Sequence, residues 1–154
     1  MELLELLRHA SREPDADRLS PAGRALAEDV GRTRSGVTYA AVFVSPADRA
    51  AETAAWFLRG AGVQLPAHDV IPGLGGQDAS GGSPEGMAAG VRALLDQLPE
   101  GGRGLAISHT PLVERAAFGL TGREVAPMRE CEGILVTRDE HGAIAIEELR
   151  RPAG

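Results

Sequence analysis

Two arginines and two histidines lie at or just beyond the ends of short apolar runs, where their side chains could do chemistry. Arg8 and His9 end a leucine-rich run, His109 ends another, and Arg49 comes shortly after a third. An arginine presents a fixed positive fork that suits an oxyanion. A histidine can serve as nucleophile, base or metal ligand. A single such pair is ordinarily a loop with a solvated arginine, but three run ends of this kind are hard to explain by packing.

The apolar runs must position these residues, and their length and flanking turn residues predict buried strands. Periodicity alone does not distinguish such short runs from helix. In open α/β sheets, ligands bind at the carboxyl ends of the strands, so the four side chains are expected to meet there. The predicted strands are Leu3–Leu7, Val37–Val44, Leu65–Ile71, Gly104–Ser108, Gly133–Thr137 and Ala143–Leu149. The third contains Pro66 and is expected to be short or at an edge.

Four pairs of a hydroxyl residue and proline predict helix starts, because serine or threonine caps a helix and proline suits its first position. Strands that alternate with helices predict an α/β fold. The expected architecture is a three-layer α/β/α sandwich with a mostly parallel sheet, finished by a hairpin of the last two strands. The four pairs are Ser20-Pro21, Ser45-Pro46, Ser83-Pro84 and Thr110-Pro111.

Length and composition indicate an ordinary globular protein. The chain has 154 residues, 43% hydrophobic and 25% charged, which predicts one domain over residues 1–154. No apolar stretch approaches a membrane span and no signal peptide is recognisable, so the cytoplasm is the expected location and no membrane partner is expected. A net charge of −6 argues against nucleic acid as a partner.

Residue types that are missing exclude several kinds of site. Every basic residue is arginine, and the chain has neither lysine nor asparagine. This excludes a phosphate-loop lysine, a Schiff-base lysine and a Cys-His-Asn triad. Cys131 is the only cysteine, which excludes an intramolecular disulfide and a cysteine-based zinc cluster.

Two arginines and two histidines at one sheet edge describe a pocket for a dianion, as phosphoryl transfer requires. A metal site is the alternative for paired histidines, but ligand spacing such as H-E-x-x-H is missing and the arginines would repel a cation. A serine hydrolase is less favoured, because the chain has no G-x-S-x-G motif.

Three motifs resemble those of the histidine phosphatase superfamily, which has the phosphoglycerate-mutase-like fold. Leu7-Arg8-His9-Ala10 resembles the R-H-G signature, and Val44–Ala54 resembles the S-x-x-x-R-A-x-x-T-A block. Ile107–Val113 is similar to the second histidine block. Their order and spacing fit across essentially the whole chain. In its short length and its S-H-x-P-L-V motif, the chain is most similar to small bacterial phosphohistidine phosphatases.

The resemblance implies a metal-independent phosphatase that works through a covalent phosphohistidine. His9 would be the nucleophile, and Arg8, Arg49 and His109 would bind the phosphoryl oxygens and stabilise the transition state. The resemblance implies no cofactor and no metal. Ala10 replaces the signature glycine, which is tolerated only where the backbone φ is negative.

A second departure concerns the general acid. Family members that act on alkyl phosphates usually carry a glutamate general acid in an insertion after the third strand. Here the corresponding segment is residues 72–83, and its one acidic residue is Asp78. Glu85 follows on the next predicted helix. Neither lies in a recognisable motif. An alcohol needs such a proton to leave, whereas a phosphohistidine can leave as neutral imidazole. The short glycine-rich segment would also leave the pocket open to a protein surface.

The favoured hypothesis is therefore hydrolysis of phosphohistidine on a protein. One alternative is a small-molecule phosphomonoesterase that uses Asp78, Glu85 or an acid of the Ser11–Asp17 loop. Another is a phosphate-binding module without catalysis, and mutase activity is least favoured because it requires an enclosed site. Whether Arg12 reaches the pocket or faces solvent is left open by the sequence.

Overall fold

The computed structural model describes residues 1–64 and 67–152. Within them, strands and helices alternate along most of the chain, and a hairpin completes it. A 3₁₀ turn, Pro72–Gly75, follows the third strand. The elements are β1 (Glu2–Arg8), α1 (Pro21–Arg32), β2 (Ala41–Val44), α2 (Asp48–Ala61), β3 (His68–Val70), α3 (Pro84–Asp96), β4 (Arg103–Ser108), α4 (Leu112–Thr121), β5 (Gly133–Arg138) and β6 (Ile144–Leu149).

The six strands form one mixed sheet in the order β3-β2-β4-β1-β5-β6. Strands β1 to β4 run parallel, and β5 runs antiparallel to both β1 and β6. The α/β class and the closing hairpin are confirmed. Arg8 is opposite Ser108, and Val44 is opposite Ile107. The carboxyl ends of β1, β2 and β4 therefore lie together at one edge of the sheet.

Alternate residues of the central strands belong to different hydrophobic clusters, as the two-residue period of a strand requires. Leu4, Leu6 and Ala106 pack in a cluster with residues of α3 and α4. Leu7 and Ile107 pack in another with residues of α2. Because β1 and β4 have apolar side chains on both sides, they lie in the interior and hold their terminal residues in fixed positions.

Two of the four predicted helix caps are confirmed. The hydroxyls of Ser20 and Ser83 accept hydrogen bonds from the first turns of α1 and α3. The predicted caps Ser45 and Thr110 are wrong, since α2 and α4 begin later and their N-cap residues make no side-chain hydrogen bond. Both hydroxyls have other partners: that of Ser45 contacts His109, and that of Thr110 donates to the carboxylate of Glu114 in α4.

The third strand is short and lies at the edge of the sheet, as its proline predicts. It covers only His68–Val70, whereas the sequence predicts Leu65–Ile71. Leu65 and Pro66 lie outside the described residues. None of the helices in the described part of the chain has the length and apolar character needed to cross a membrane.

Candidate active site

All four residues that the sequence singles out line one pocket at the carboxyl edge of the sheet. The cavity has a volume of about 970 Å³ and is lined by Arg8, His9, Arg49 and His109 among others. The two imidazole rings meet edge to face, with centroids 5.1 Å apart. Three separate strands thus deliver cationic or ionisable groups to one cavity, as expected from the parallel arrangement of β1, β2 and β4.

His9 is held in one orientation and one tautomer. Its backbone N–H donates to the carbonyl of Ser108 at 3.0 Å, and only 8% of the residue is exposed. Its Nδ1 lies 2.7 Å from the carbonyl oxygen of Ala10. Because a carbonyl oxygen only accepts hydrogen bonds, Nδ1 must carry the proton. Nε2 therefore keeps its lone pair, and it accepts from Nε of Arg49 at 3.3 Å.

The electrostatic surroundings favour this neutral form of His9. Burial lowers the pKa of His9, and the hydrogen bond to Ala10 opposes that effect. The positive charges of Arg49, Arg8 and Arg12 lower the pKa further, and the net result is a value below 6.5. At neutral pH the lone pair on Nε2 is therefore available as a nucleophile.

Arg49 lies in the first turn of α2, and Asp17 fixes it there. The two carboxylate oxygens of Asp17 accept from the backbone N–H groups of Asp48 and Arg49, at 2.8 and 3.1 Å. One oxygen also accepts from the guanidinium of Arg49 at 2.9 Å. Thr53 supports the same turn, since its hydroxyl donates to the carbonyl of Arg49 and accepts from the N–H of Ala10. Nε of Arg49 is thereby directed at the nucleophilic nitrogen.

Arg8 is held by the loop that precedes β5. Its guanidinium donates to the carbonyl of Met128 at 2.8 Å and lies 3.8 Å from the carboxylate of Glu130. Its backbone N–H donates to the carbonyl of Glu132, and its own carbonyl accepts from Cys131. Cys131 has a φ of 60°, which turns the chain back toward Arg8 at this point. The loop and the end of β1 thus form one unit.

His109 is the second histidine of the pocket. Its Nε2 lies 2.7 Å from the hydroxyl of Ser45, and its Nδ1 lies 3.4 Å from a guanidinium nitrogen of Arg49. Burial lowers the pKa of His109 to about 4, helped by the charges of His9 and Arg49. Since arginine only donates, Nδ1 of neutral His109 accepts and Nε2 donates to Ser45.

Two points that the sequence raises are decided by the backbone and the pocket wall. Among the described non-glycine residues, positive φ is confined to Cys131. Ala10 therefore satisfies the condition for replacing the signature glycine. Arg12, which the sequence leaves open, lines the pocket although much of its side chain is exposed.

The two acids that the sequence offers as weak candidates do not line the pocket. Asp78 accepts hydrogen bonds from Ser80 and lies beside a separate cleft between the 3₁₀ turn and α3. Glu85 is exposed in the first turn of α3. The carboxylates in the pocket wall are Asp17 and Glu130.

Asp17 belongs to the Ser11–Asp17 loop, which the sequence offers as a possible source of the acid. The sequence does not predict Glu130 as a pocket residue. No local motif marks Glu130, because it reaches the pocket only when the chain returns to pair β5 with β1. Across the described ranges, no three His, Cys, Asp or Glu side chains are grouped so as to hold a metal ion. The pocket thus presents a lone-pair nitrogen beside guanidinium groups, an arrangement suited to receiving a phosphoryl group.

The chain resembles known histidine phosphatases in sequence and in fold. The sequence model of the histidine phosphatase superfamily (branch 1) matches residues 4–71, a range that contains Arg8, His9 and Arg49. The structure of the protein histidine phosphatase SixA, complexed with tungstate, superposes with a TM-score of 0.79. That protein is 25% identical to this chain, and the match covers 96% of each. The predicted resemblance to the histidine phosphatase superfamily is confirmed.

Other solved structures share the fold at lower identity. A phosphoserine phosphatase variant from Entamoeba histolytica, in complex with phosphoserine, is 17% identical, with a TM-score of 0.76 and 97% of each chain covered. A phosphoglycerate mutase from Bacillus anthracis is 14% identical, with a TM-score of 0.70, covering 95% of this chain and 91% of that one. A search of curated protein sequences found no match. These two structures establish the fold and leave the substrate to be argued from the pocket.

Proposed function

We propose that this chain is a metal-independent phosphatase in which His9 accepts the phosphoryl group and then passes it to water. One observation carries the proposal: Nδ1 of His9 donates to the carbonyl of Ala10, so Nε2 bears no proton and its lone pair is directed at the Arg49 guanidinium in the pocket. Nε2 forms a bond to phosphorus as the leaving group departs. Water then attacks the phosphohistidine, which releases inorganic phosphate and restores His9.

The remaining predicted residues bind the phosphoryl oxygens. Arg8 and Arg49 neutralise negative charge on the phosphoryl group during its transfer. Arg8 is oriented before substrate arrives by its hydrogen bond to Met128, and Arg49 by its hydrogen bond to Asp17. Such preorganised donors stabilise the transition state without reorganisation during the reaction. A bound dianion favours protonation of His109, which then becomes a donor to the same oxygens.

The favoured substrate is phosphohistidine on a protein. The leaving imidazole is neutral when its other nitrogen is protonated, so it needs little help from an acid. The segment between β3 and α3 forms only a 3₁₀ turn and a glycine-rich loop, which leaves the mouth of the pocket accessible to a protein surface. The likeness to SixA supports the same choice.

A small-molecule phosphomonoesterase is the second candidate. The observation in its favour is the presence of carboxylates, Asp17 and Glu130, in the pocket wall. Either carboxylate could help an alcohol to leave if it carried a proton at the right moment.

The test is metal-free hydrolysis of p-nitrophenyl phosphate and of a phosphohistidine protein, measured side by side. The proposal predicts that the unchanged chain forms an acid-labile, alkali-stable phosphoryl adduct, which intact-protein mass spectrometry detects. His9→Ala should abolish both activities and this adduct. His141→Ala is the matched control, because this exposed histidine lies in the hairpin turn away from the pocket. A faster reaction on the protein substrate supports phosphohistidine, and faster turnover of small phosphates supports the second candidate. Binding of phosphate without hydrolysis would leave only a binding module.

A further inference from the structure

We propose that Glu130 is the proton donor of this pocket, which extends the activity to phosphate esters with strongly basic alcohol leaving groups. This inference rests on the proposed phosphatase function of His9. Glu130 lies outside the three sequence motifs and is identified by its position in the pocket wall.

Of the two carboxylates in the pocket wall, Glu130 has the fewer bonded partners in the described chain. In the described chain its one ion pair is the long contact to Arg8, 3.8 Å between nitrogen and oxygen, and its side chain is 31% exposed. Asp17 differs, because both of its oxygens already accept from Arg49 and from the start of α2. Burial raises the pKa of Asp17, but these hydrogen bonds outweigh that effect and lower the pKa below 3.8.

The backbone on either side of Glu130 is bonded to the end of β1, the strand that leads to His9. The next residue, Cys131, donates its N–H to the carbonyl of Arg8 at 3.0 Å and more weakly to that of His9 at 3.4 Å. Residue Glu132 accepts from the N–H of Arg8 at 2.8 Å. On the other side, Met128 accepts from the Arg8 guanidinium. Glu130 therefore lies between anchors that all lead to the end of β1, where the reaction takes place.

Substrate binding changes the charge that surrounds this carboxyl group. In the free protein the Arg8 guanidinium lies 3.8 Å from this carboxylate. A phosphoryl dianion takes over the positive charge of Arg8 and places like charge near Glu130, which favours the proton-bearing form. The proton is thus taken up when the substrate arrives, at the point where it is needed.

The two chemical steps balance with Glu130 in this role. First, Nε2 of His9 forms a bond to phosphorus, the bond from phosphorus to the ester oxygen breaks, and Glu130 gives its proton to that oxygen. The products are an alcohol, a phosphohistidine and a Glu130 carboxylate. Second, the oxygen of a water molecule forms a bond to phosphorus, and the bond from phosphorus to Nε2 of His9 breaks. The Glu130 carboxylate takes a proton from that water. Inorganic phosphate leaves and both residues return to their starting states.

The test compares leaving groups, because a proton donor matters in proportion to the basicity of the group that leaves. Glu130→Gln should lower kcat/KM for an alkyl phosphate such as phosphoserine by about 100-fold. For p-nitrophenyl phosphate and for phosphohistidine the loss should stay within about threefold, since both leave readily without a proton. Glu130→Asp keeps a carboxyl group at this position and should retain activity on the alkyl phosphate.

Glu124→Gln is the matched control, since Glu124 is exposed in the segment after α4, carries the same charge and does not line the pocket. Its kinetics should equal those of the unchanged chain. An equal loss on all substrates in Glu130→Gln, or no loss on the alkyl phosphate, overturns the assignment while His9-dependent hydrolysis persists. If the unchanged chain shows no His9-dependent hydrolysis of any substrate, the proposed function and the assignment fail together.

Discussion

Glu132 joins the start of β5 to the C-terminal segment, and its replacement by glutamine should destabilise the protein in a pH-dependent way. The side chain is 1% exposed. Its carboxylate accepts from the backbone and side chain of Arg129, from the backbone of Arg151 and from the side chain of Arg150. Burial raises the pKa of Glu132, but these hydrogen bonds outweigh burial and lower the pKa from 4.5 to about 2.

The magnitude follows from linkage. The folded-state pKa is depressed, so the stabilisation is complete well above pH 4.5 and is lost as the pH falls toward 2. A shift of this size corresponds to about 3 kcal/mol of unfolding free energy at pH 7, and to about 1.4 kcal/mol at pH 3. Glutamine has the shape of a protonated glutamate without its charge. Glu132→Gln should therefore cost about 3 kcal/mol at pH 7 and less than half of that at pH 3.

The assay is urea unfolding at both pH values, followed by the fluorescence of Trp56, the only tryptophan. Glu147→Gln provides the control, because Glu147 is exposed on the same hairpin. Its unfolding free energy should match that of the unchanged chain at both pH values. A loss below about 1 kcal/mol at pH 7, or an equal loss at both pH values, would refute the reasoning.

Further perturbations test the site and its packing. Asp17→Asn releases the Arg49 guanidinium, and steady-state kinetics should show about a tenfold lower kcat/KM, equivalent to about 1.4 kcal/mol; an unchanged value would exclude a positioning role. Because the pKa of His9 lies below 6.5, the acid limb of the kcat/KM profile should fall below that pH, and a limb above it would contradict the neutral nucleophile. Gly133→Ala places a methyl group 1.9 Å from a backbone carbonyl of β1 and should cost at least about 2 kcal/mol in urea unfolding. Gly90→Ala, which meets nothing within 4 Å on a helix, should instead stabilise by up to about 1 kcal/mol.

Much of the fold, and the meeting of Arg8, His9, Arg49 and His109 in one pocket, could be predicted from local sequence. Apolar runs with turn residues behind them predict the strands, and serine followed by proline predicts the starts of α1 and α3 correctly. Arg8, His9 and His109 follow directly from strand ends, and Arg49 from the helix start beyond β2. These predictions succeed because the responsible interactions are local: a strand must bury its side chains, and its last residue then stands at the edge of the core.

The same local rule fails where a distant partner competes. Ser45 is predicted to cap α2, yet its hydroxyl contacts the imidazole of His109, 64 residues away in the chain. Glu5 interrupts the leucine run of β1 but is fully buried, because Arg34, Arg103 and Tyr39 bond to its carboxylate. Neither partnership leaves a sequence signal, since it depends on which strands become neighbours.

The sequence by itself determined which arginines and histidines stand at or after the ends of buried strands, because residue types and apolar runs can be read directly from the chain. The tertiary structure decided how they act. The Ala10 carbonyl sets the tautomer of His9, and Asp17 orients Arg49. The antiparallel return of β5 beside β1 brings Glu130 to the pocket. The tautomer of His9, the orientation of Arg49 and the carboxylates of the pocket wall all depend on groups that meet only when distant segments pack together.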